Sequence, residues 1–188
     1  MPEEMVKLED LRQQVADLQA QFETLKQSAP EDKLAMVVFS GDLDKILAAF
    51  VIATGAVAMG MDVVMFFTFW GTSVLRDKNK SAGEKDFMGR MFGTMLPKGA
   101  TAVKLSKMNM GGMGTAMMKF LMQKKNVASL EEMMAMAGEL GVRIVVCEMS
   151  MDLMGFKREE MIDYPNLSYG GVAAFLGEAG SSKVQLFI

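Results

Sequence analysis

The stretch LAMVVFSGD, residues 34–42, decides the fold of this chain. Its first six residues form an uninterrupted apolar run, which is typical of a strand buried on both faces. Ser40-Gly41-Asp42 is a predicted turn, and either Asp42 or Asp44 is placed to cap a helix that ends near Met59. A buried strand, a short turn and a helix make the first half of a βαβ unit, so the stretch predicts an α/β fold.

The same alternation of apolar strands and helices continues along the chain. We expect further strands at Asp62–Thr68, Val142–Val146 and Val184–Ile188. Helices are predicted at about 83–95, 115–124, 129–140 and 171–178, with a short helical turn after Ser150 that closes at Gly155. This alternation implies right-handed βαβ units, and hence a three-layer α/β/α fold with a mostly parallel sheet of about five strands.

Residues 3–27 have the heptad pattern of a coiled coil. Apolar residues recur at alternating spacings of three and four, at Leu8, Leu11, Val15, Leu18, Phe22 and Leu25. Such a stripe either packs on the chain's own domain or drives self-association, and the sequence leaves both alternatives open. Ser28-Ala29-Pro30 ends the helix, so we divide the chain into a coiled-coil-like helix and linker at 1–30 and an α/β domain at 31–188.

The net charge of −3 conceals an uneven distribution of charged residues. Residues 1–33 carry 8 acids and 4 bases, whereas residues 76–125 carry 11 lysines and arginines against 3 acids. The basic segment suits an anionic ligand or an acidic partner, but it lacks the interleaved aromatic residues of a nucleic-acid surface. We therefore expect no nucleic-acid binding.

The chain contains no histidine and a single cysteine, Cys147. The absence of histidine excludes Ser-His and Cys-His nucleophile pairs, histidine-ligated zinc and histidine acid–base chemistry. One cysteine excludes an internal disulfide and a CxxC redox motif. A lone thiol without a signal peptide fits a reducing compartment, so we expect a cytoplasmic protein. We predict no cofactor and no metal site.

An uncharged run tests whether the chain spans a membrane. No residue is charged from Ile46 to Met61, and the run from Val63 to Leu75 is uncharged as well. A membrane-spanning helix needs about 20 apolar residues. Here Gly55 and Gly60 interrupt the run, and Asp62 would lie inside the membrane at a cost of several kcal/mol. A buried helix, a glycine stop and a buried strand explain the pattern better, so we expect no membrane span.

Parallel sheets bind their ligands beyond the carboxyl ends of the strands. The loops expected at that edge are Ser40-Gly41-Asp42, Phe69-Trp70-Gly71 and Cys147–Asp152. From them we select Cys147 as the catalytic candidate, and as cleft or binding candidates Ser40, Gly41, Asp42, Trp70, Met149 and Ser150. Trp70 is expected to pack at the mouth of the cleft, with stacking on a ligand as the alternative.

Cys147 follows the predicted strand Val142–Val146 and faces the expected cleft. Ser150 is placed as the N-cap of the next helical turn, whose backbone N–H groups would lower the pKa of the thiol. Glu148 and Asp152 act in the opposite direction, because they disfavour another negative charge. Position alone leaves two alternatives, a reactive thiol or an inert cysteine that packs as a small hydrophobe. A single reactive thiol can hold a sulfur atom as a persulfide and pass it to a partner's thiol.

Two compositional features have alternative interpretations. Of 22 methionines, 16 lie between Met88 and Met161, where they form either adaptable packing and partner surface or soft ligands for Cu(I). The segment NMGGMG, residues 109–114, is either a flexible lid or an anion-binding loop ahead of the helix predicted from Thr115. If Cys147 is an inert, structural cysteine, the chain is instead a ligand-binding or oligomeric scaffold module. This is the alternative to a protein that carries sulfur on the thiol.

Ten residues around the cysteine, VCEMSMDLMG at 146–155, resemble the DsrE/DsrF-like family of sulfur-carrier proteins. The resemblance is to the larger, methionine-rich branch of that family, often labelled peroxiredoxin-like. Three more stretches agree with it, VVFSGD at 37–42, FFTFWG at 66–71 and KMNMGGMGT at 107–115. Together they extend across about 34–188 and leave the N-terminal helix outside.

This resemblance implies a three-layer α/β fold, assembly into a homo-oligomer and a sulfurtransferase activity of the carrier type. In that activity a sulfane sulfur is held as a persulfide on the family's cysteine, which corresponds to Cys147 here. It also implies partner proteins that give or accept sulfur, such as a rhodanese-like protein or another small sulfur carrier.

Overall fold

The computed structural model describes residues 2–83 and 87–188. Contacts divide the chain into two units, with the boundary between Glu31 and Asp32. The first unit contains the helix α1 (Pro2–Ser28), which confirms the predicted N-terminal helix. Its heptad seam is 50–67% exposed at each position and consists of Leu8, Leu11, Val15, Leu18, Phe22 and Leu25.

In the second unit, the described residues alternate between strands and helices, as the sequence predicts. The strands are β1 (Glu31–Val38), β2 (Asp62–Phe67), β3 (Arg143–Cys147), β4 (Leu167–Gly170) and β5 (Ser182–Phe187). The α-helices are α2 (Leu43–Ala58), α3 (Phe87–Met95), α4 (Met113–Lys124), α5 (Leu130–Glu139), α6 (Glu148–Met154) and α7 (Val172–Gly180). Short 3-10 helices occur at Phe69–Leu75, Ala100–Ala102, Met110–Gly112 and Arg158–Glu160.

The strands form one sheet in the order β4-β3-β2-β1-β5. β1 pairs with β2, β2 with β3 and β3 with β4, all in parallel. At the other edge, Ile188 N–H donates to the Val37 carbonyl at 2.9 Å and Phe39 N–H donates to the Ile188 carbonyl at 2.7 Å, which is also the parallel pattern. The predicted three-layer fold with a parallel sheet is confirmed, and every strand ends at the same edge of the sheet.

Alternate residues of the central strands point to opposite faces of the sheet. A large core on one face joins these strands to α2 and α5. A smaller cluster on the opposite face joins them to α7, and its buried members are Ala35, Val64, Phe66, Cys147, Phe175 and Ala179. The cysteine therefore lies on the α7 side of the sheet.

The uncharged run belongs to α2 and β2. Ile46, Ala49, Phe50 and Ala53 are fully buried against the large core, and Gly60 adopts a φ of +82° between the helix and the strand. A left-handed conformation at that position suits glycine, which confirms the predicted stop. Within residues 2–83 and 87–188, no helix combines the length and apolar composition needed to cross a membrane.

Several element boundaries differ from the predictions. β4 was not predicted, because its four residues LSYG are too few and too mixed to show a period. Phe69–Leu75 is a 3-10 helix where we expected a loop, and α4 begins at Met113 rather than Thr115. Of the helix predicted at 83–95, Phe87–Met95 is helical and 84–86 lie outside the described residues.

Candidate active site

Cys147 is the last residue of β3 and the N-cap of α6. Its side chain is buried, with 3% exposure, in the cluster that also contains Phe66 and Phe175. The helix therefore begins directly at the cysteine, whereas the sequence predicted Ser150 as the N-cap. This correction brings the first turn of α6 closer to the sulfur than predicted.

Ser150 lies in that first turn and is completely buried. Its hydroxyl oxygen accepts a hydrogen bond from Phe69 N–H at 2.9 Å and lies 2.9 Å from the hydroxyl of Thr68. Thr68 follows β2, the strand next to β3, so the two hydroxyls join the carboxyl ends of two adjacent strands. Ser150 is thus held between the cysteine strand and its neighbour.

These groups set the pKa of the Cys147 thiol. Burial raises that pKa, but hydrogen bonds from the Ser150 and Thr68 side chains and from the backbone N–H groups of Ser150 and Met149 lower it, and the net pKa is below the usual value for cysteine. Two hydroxyls that share one hydrogen bond keep one O–H proton for a third group. Either hydroxyl can be the donor in their mutual bond, so the remaining proton can reach a thiolate from Ser150 or from Thr68, one at a time.

The carboxylate of Glu148, next to the cysteine, forms an ion pair with Arg158. Arg158 also stacks over the ring of Tyr169, with its guanidinium carbon 4.5 Å from the ring centre. The negative charge that was expected to oppose a thiolate is therefore partly compensated by a fixed cation.

The other candidate residues form a second group at the same edge of the sheet. The Ser40 hydroxyl donates to the Asp42 carboxylate at 2.8 Å, and a Cβ at Gly41 would approach the Trp70 carbonyl oxygen to 2.8 Å. Gly71 N–H donates to the Phe39 carbonyl at 3.0 Å, so the loops after β1 and β2 pack directly together. Asp42 is the N-cap of α2 without a side-chain cap, because its carboxylate instead binds Ser40 and Lys45.

This second group and the cysteine are joined through the segment that follows β2. Trp70, 45% exposed, follows Phe69, whose N–H binds Ser150. β1 and β3 flank β2, which places the Ser40 loop about 10 Å from β3. The structure thus brings Cys147 and Ser150 together and leaves Ser40, Gly41 and Asp42 at the next position along the edge, while the Met149 side chain is 55% exposed.

Thr68 is the site residue that the sequence analysis missed. The available signal was its position, since it ends the run FFT at 66–68 and a hydroxyl there meets the end of the neighbouring strand. Without the strand order, nothing in the sequence indicated that the neighbour would be β3.

The glycine- and methionine-rich segment 108–114 is anchored near the start of α2, the helix that packs on the face of the sheet opposite to Cys147. The Thr115 hydroxyl donates to the Asn109 side chain at 2.8 Å, and Ser106 donates twice to the Asp44 carboxylate, at 2.6 and 2.8 Å. Gly111 and Gly112 adopt φ angles of +70° and +104°. The Ser106 bonds hold the start of the segment beside the first turn of α2, and the Thr115–Asn109 bond ties its two ends to each other.

Comparison with known proteins places this site in a family. Residues 30–187 match the model of the DsrE/DsrF/DrsH-like family. The chain belongs to that family. The match starts after α1 and includes the whole α/β unit with Cys147, in agreement with the resemblance noted in the sequence.

Two relatives are similar to this chain over almost their whole lengths. The uncharacterised protein YrkE of Bacillus subtilis (strain 168) is 46% identical over 156 residues, which are 83% of this chain and 96% of the relative. The sulfur carrier protein DsrE2 of Allochromatium vinosum is 36% identical over 159 residues, which are 84% of this chain and 99% of the relative. The family and the name of the second relative support a role in sulfur relay.

Proposed function

We propose that this protein is a sulfur carrier that accepts a sulfane sulfur as a persulfide on Cys147 and passes it to a thiol of a partner protein. The observation that carries the proposal is the position of Cys147, at the carboxyl end of β3 and the N-cap of α6, with the hydroxyl of Ser150 in the first turn of α6 bound to that of Thr68. Membership of the DsrE/DsrF/DrsH-like family supports the same chemistry.

The proposed reaction consists of two thiol–disulfide-type exchanges. In the first, the Cys147 thiolate attacks the outer sulfur of a donor persulfide, a new S–S bond forms, and the donor thiolate leaves with the electron pair of the broken bond. In the second, a partner's thiolate attacks the outer sulfur on Cys147, which leaves as a thiolate. Sulfur is transferred without net oxidation, so neither step needs a further cysteine or a cofactor.

A lowered thiol pKa suits both steps. The thiolate is the nucleophile that accepts sulfur, and a thiol with a lower pKa is also the better leaving group when sulfur is given away. Because one O–H proton of the hydroxyl pair remains available, Ser150 and Thr68 would stabilise the negative charge at the start of the first step and at the end of the second.

Burial of Cys147 protects a persulfide from small thiols in solution, but it also means that a partner must reach the sulfur. One glycine provides room on one side. A Cβ on Gly171 would meet no heavy atom within 4 Å, and Gly171 directly follows Gly170, the register partner of Cys147 on β4. We propose that the partner's cysteine approaches from this side.

The partner is proposed to be a rhodanese-like protein or a small sulfur carrier. Several side chains exposed on elements that meet at this edge are apolar, which suits a transient protein contact, namely Trp70, Met149, Leu153, Val172, Leu176 and Phe187. Methionine on such a surface adapts to different partners.

The intact mass of the protein after treatment with a sulfane sulfur donor tests the proposal. Wild type should gain about 32 Da, the mass of one sulfur atom, and a reductant should remove it. Cys147→Ser should gain nothing, while Met149→Leu, which keeps the thiol, should gain the same mass as wild type. An unchanged mass of wild type, under conditions that load a known persulfide-forming protein, contradicts the proposal.

A further inference from the structure

α1 is an addition to the family domain. The family match begins at residue 30, after this helix. The two relatives match this chain over 96% and 99% of their own lengths, yet these matches cover only 83% and 84% of this chain. The helix has 27 residues and carries the exposed heptad seam defined above. An exposed apolar stripe of about three heptads suits pairing with a second helix of the same kind.

We propose that α1 pairs with α1 of a second copy of this chain in an antiparallel two-stranded coiled coil. Leu8, Val15 and Phe22 occupy the a positions of the heptads, and Leu11, Leu18 and Leu25 occupy the d positions. In the antiparallel arrangement each a residue faces a d residue, with Leu11 opposite Phe22 of the second copy and Val15 opposite Leu18.

The charges that flank the seam select this direction. The e and g positions within residues 7–26 carry three bases and no acid, since they are occupied by Lys7, Arg12, Gln14, Gln19, Gln21 and Lys26. In a parallel pair, Lys7 of each copy would face Arg12 of the other, which places like charges together twice. In an antiparallel pair, Arg12 faces Gln19 and Gln14 faces Gln21, so no like charges meet there.

The sizes of the seam residues favour the same direction. A parallel pair would place two Phe22 rings opposite each other at one a position and two Val15 side chains at another, which crowds one layer and underfills the next. The antiparallel pair combines Phe22 with Leu11 and Val15 with Leu18, so each of these two layers contains one larger and one smaller side chain, and the Leu8–Leu25 layer contains two equal ones. All four acids of residues 7–26 lie at outer b and c positions, at Glu9, Asp10, Asp17 and Glu23.

The antiparallel pair separates the two α/β units instead of joining their sites. Residue 28 of one helix lies beside residue 5 of the other, so the ends that lead into the α/β units are about 35 Å apart. Each Cys147 would then act independently, and loss of the pair should leave persulfide loading unchanged. The inference therefore stands or fails separately from the proposed function.

The mass of the full chain in solution tests the pairing. Leu11→Glu combined with Leu18→Glu places two charges in the seam, and Gln13→Glu combined with Ala20→Glu adds the same two charges at outer f positions as the control. We expect the double variant to have half the mass of wild type at high protein concentration and the control to match wild type. Equal masses for wild type and the double variant overturn the proposal, and would favour a seam covered by the chain's own domain.

Disulfide crosslinking tests the direction. Two full-length variants are made in a Cys147→Ser background, one with Leu11→Cys and the other with Phe22→Cys. They are oxidised separately and as a mixture. The two positions are 11 residues apart, or about 16 Å along a helix, which is beyond the Cα separation that a disulfide spans. Under mild oxidation, the mixture should form crosslinked dimers, and each chain alone should not. Crosslinking of either chain with itself, or no crosslinking of the mixture, overturns the antiparallel pair.

Discussion

The hydroxyl of Thr68 lies 2.9 Å from the hydroxyl of Ser150, and this contact joins the ends of β2 and β3 beside the single cysteine of the chain. Thr68 is 9% exposed and Ser150 is fully buried. If either hydroxyl were removed, bulk water could not take over its hydrogen bond to the other at little cost. The contact therefore couples the stability of this edge to the chemistry of the thiol.

Removal of the Ser150 hydroxyl should raise the pKa of Cys147. Ser150→Ala deletes a donor to the thiolate and leaves Phe69 N–H without its acceptor. We expect the alkylation rate of Cys147, measured against pH, to have its inflection at higher pH than in wild type, and stability to fall by about 1–3 kcal/mol. An alkylation profile identical to that of wild type would show that Ser150 has no influence on the thiolate.

Thr68 offers a matched pair of variants. Thr68→Val keeps the shape of the side chain but removes the hydroxyl, whereas Thr68→Ser keeps the hydroxyl and removes a methyl group. Since the hydroxyl supports the thiolate, the valine variant should shift the alkylation profile of Cys147 to higher pH and the serine variant should retain the wild-type profile. Equal shifts in both variants would assign the effect to packing.

The loops that follow β1 and β2 pack so closely that a side chain at Gly71 should destabilise the protein. A Cβ there would lie 2.4 Å from the backbone carbonyl oxygen of Val38, so Gly71→Ala must displace one of the two strand ends. We expect a loss of about 1–3 kcal/mol in urea unfolding. Gly177→Ala is the control, because it lies inside α7 with no heavy atom within 4 Å and should stabilise the protein by about 0.5–1 kcal/mol.

Glu178 of α7 should contribute stability that is lost in acid. Its side chain accepts hydrogen bonds from Arg143 on β3 at 2.6 and 3.0 Å and from Lys33 on β1 at 3.0 Å, and these bonds lower its pKa to about 2. Because the folded-state pKa is depressed, the contribution is complete above the ordinary glutamate pKa of 4.5 and disappears as the pH falls towards about 2.

Urea unfolding at two pH values tests this contribution. Glu178→Gln should lower stability at pH 7 by about 1–2 kcal/mol, a value reduced by partial solvent exposure, and its deficit relative to wild type should shrink near pH 2. Glu139→Gln, at the end of α5, serves as the exposed control and should change stability little. A deficit that is the same at both pH values would contradict the assigned ion pairs.

Local sequence patterns were sufficient to predict the layers of this fold and the position of Cys147 at the end of a strand. The apolar run at 34–39 and the uncharged run from Ile46 each end at a clear turn or glycine stop, so burial and chain geometry left little choice. The heptads of α1 are similarly local. The position of Cys147 at a strand end followed from the run RIVV that precedes it, because all parallel strands end at one edge.

The tertiary structure decided which groups surround the sulfur. The strand order β4-β3-β2-β1-β5 places Thr68 beside Ser150, although 82 residues separate them, and it leaves Ser40 at the next strand along the edge. It also places Gly170, on the unpredicted strand β4, next to Cys147. Sequence periodicity determines which faces are buried and where strands end, but hydrogen bonds between distant segments depend on which strands are neighbours, and that is settled only when the sheet assembles.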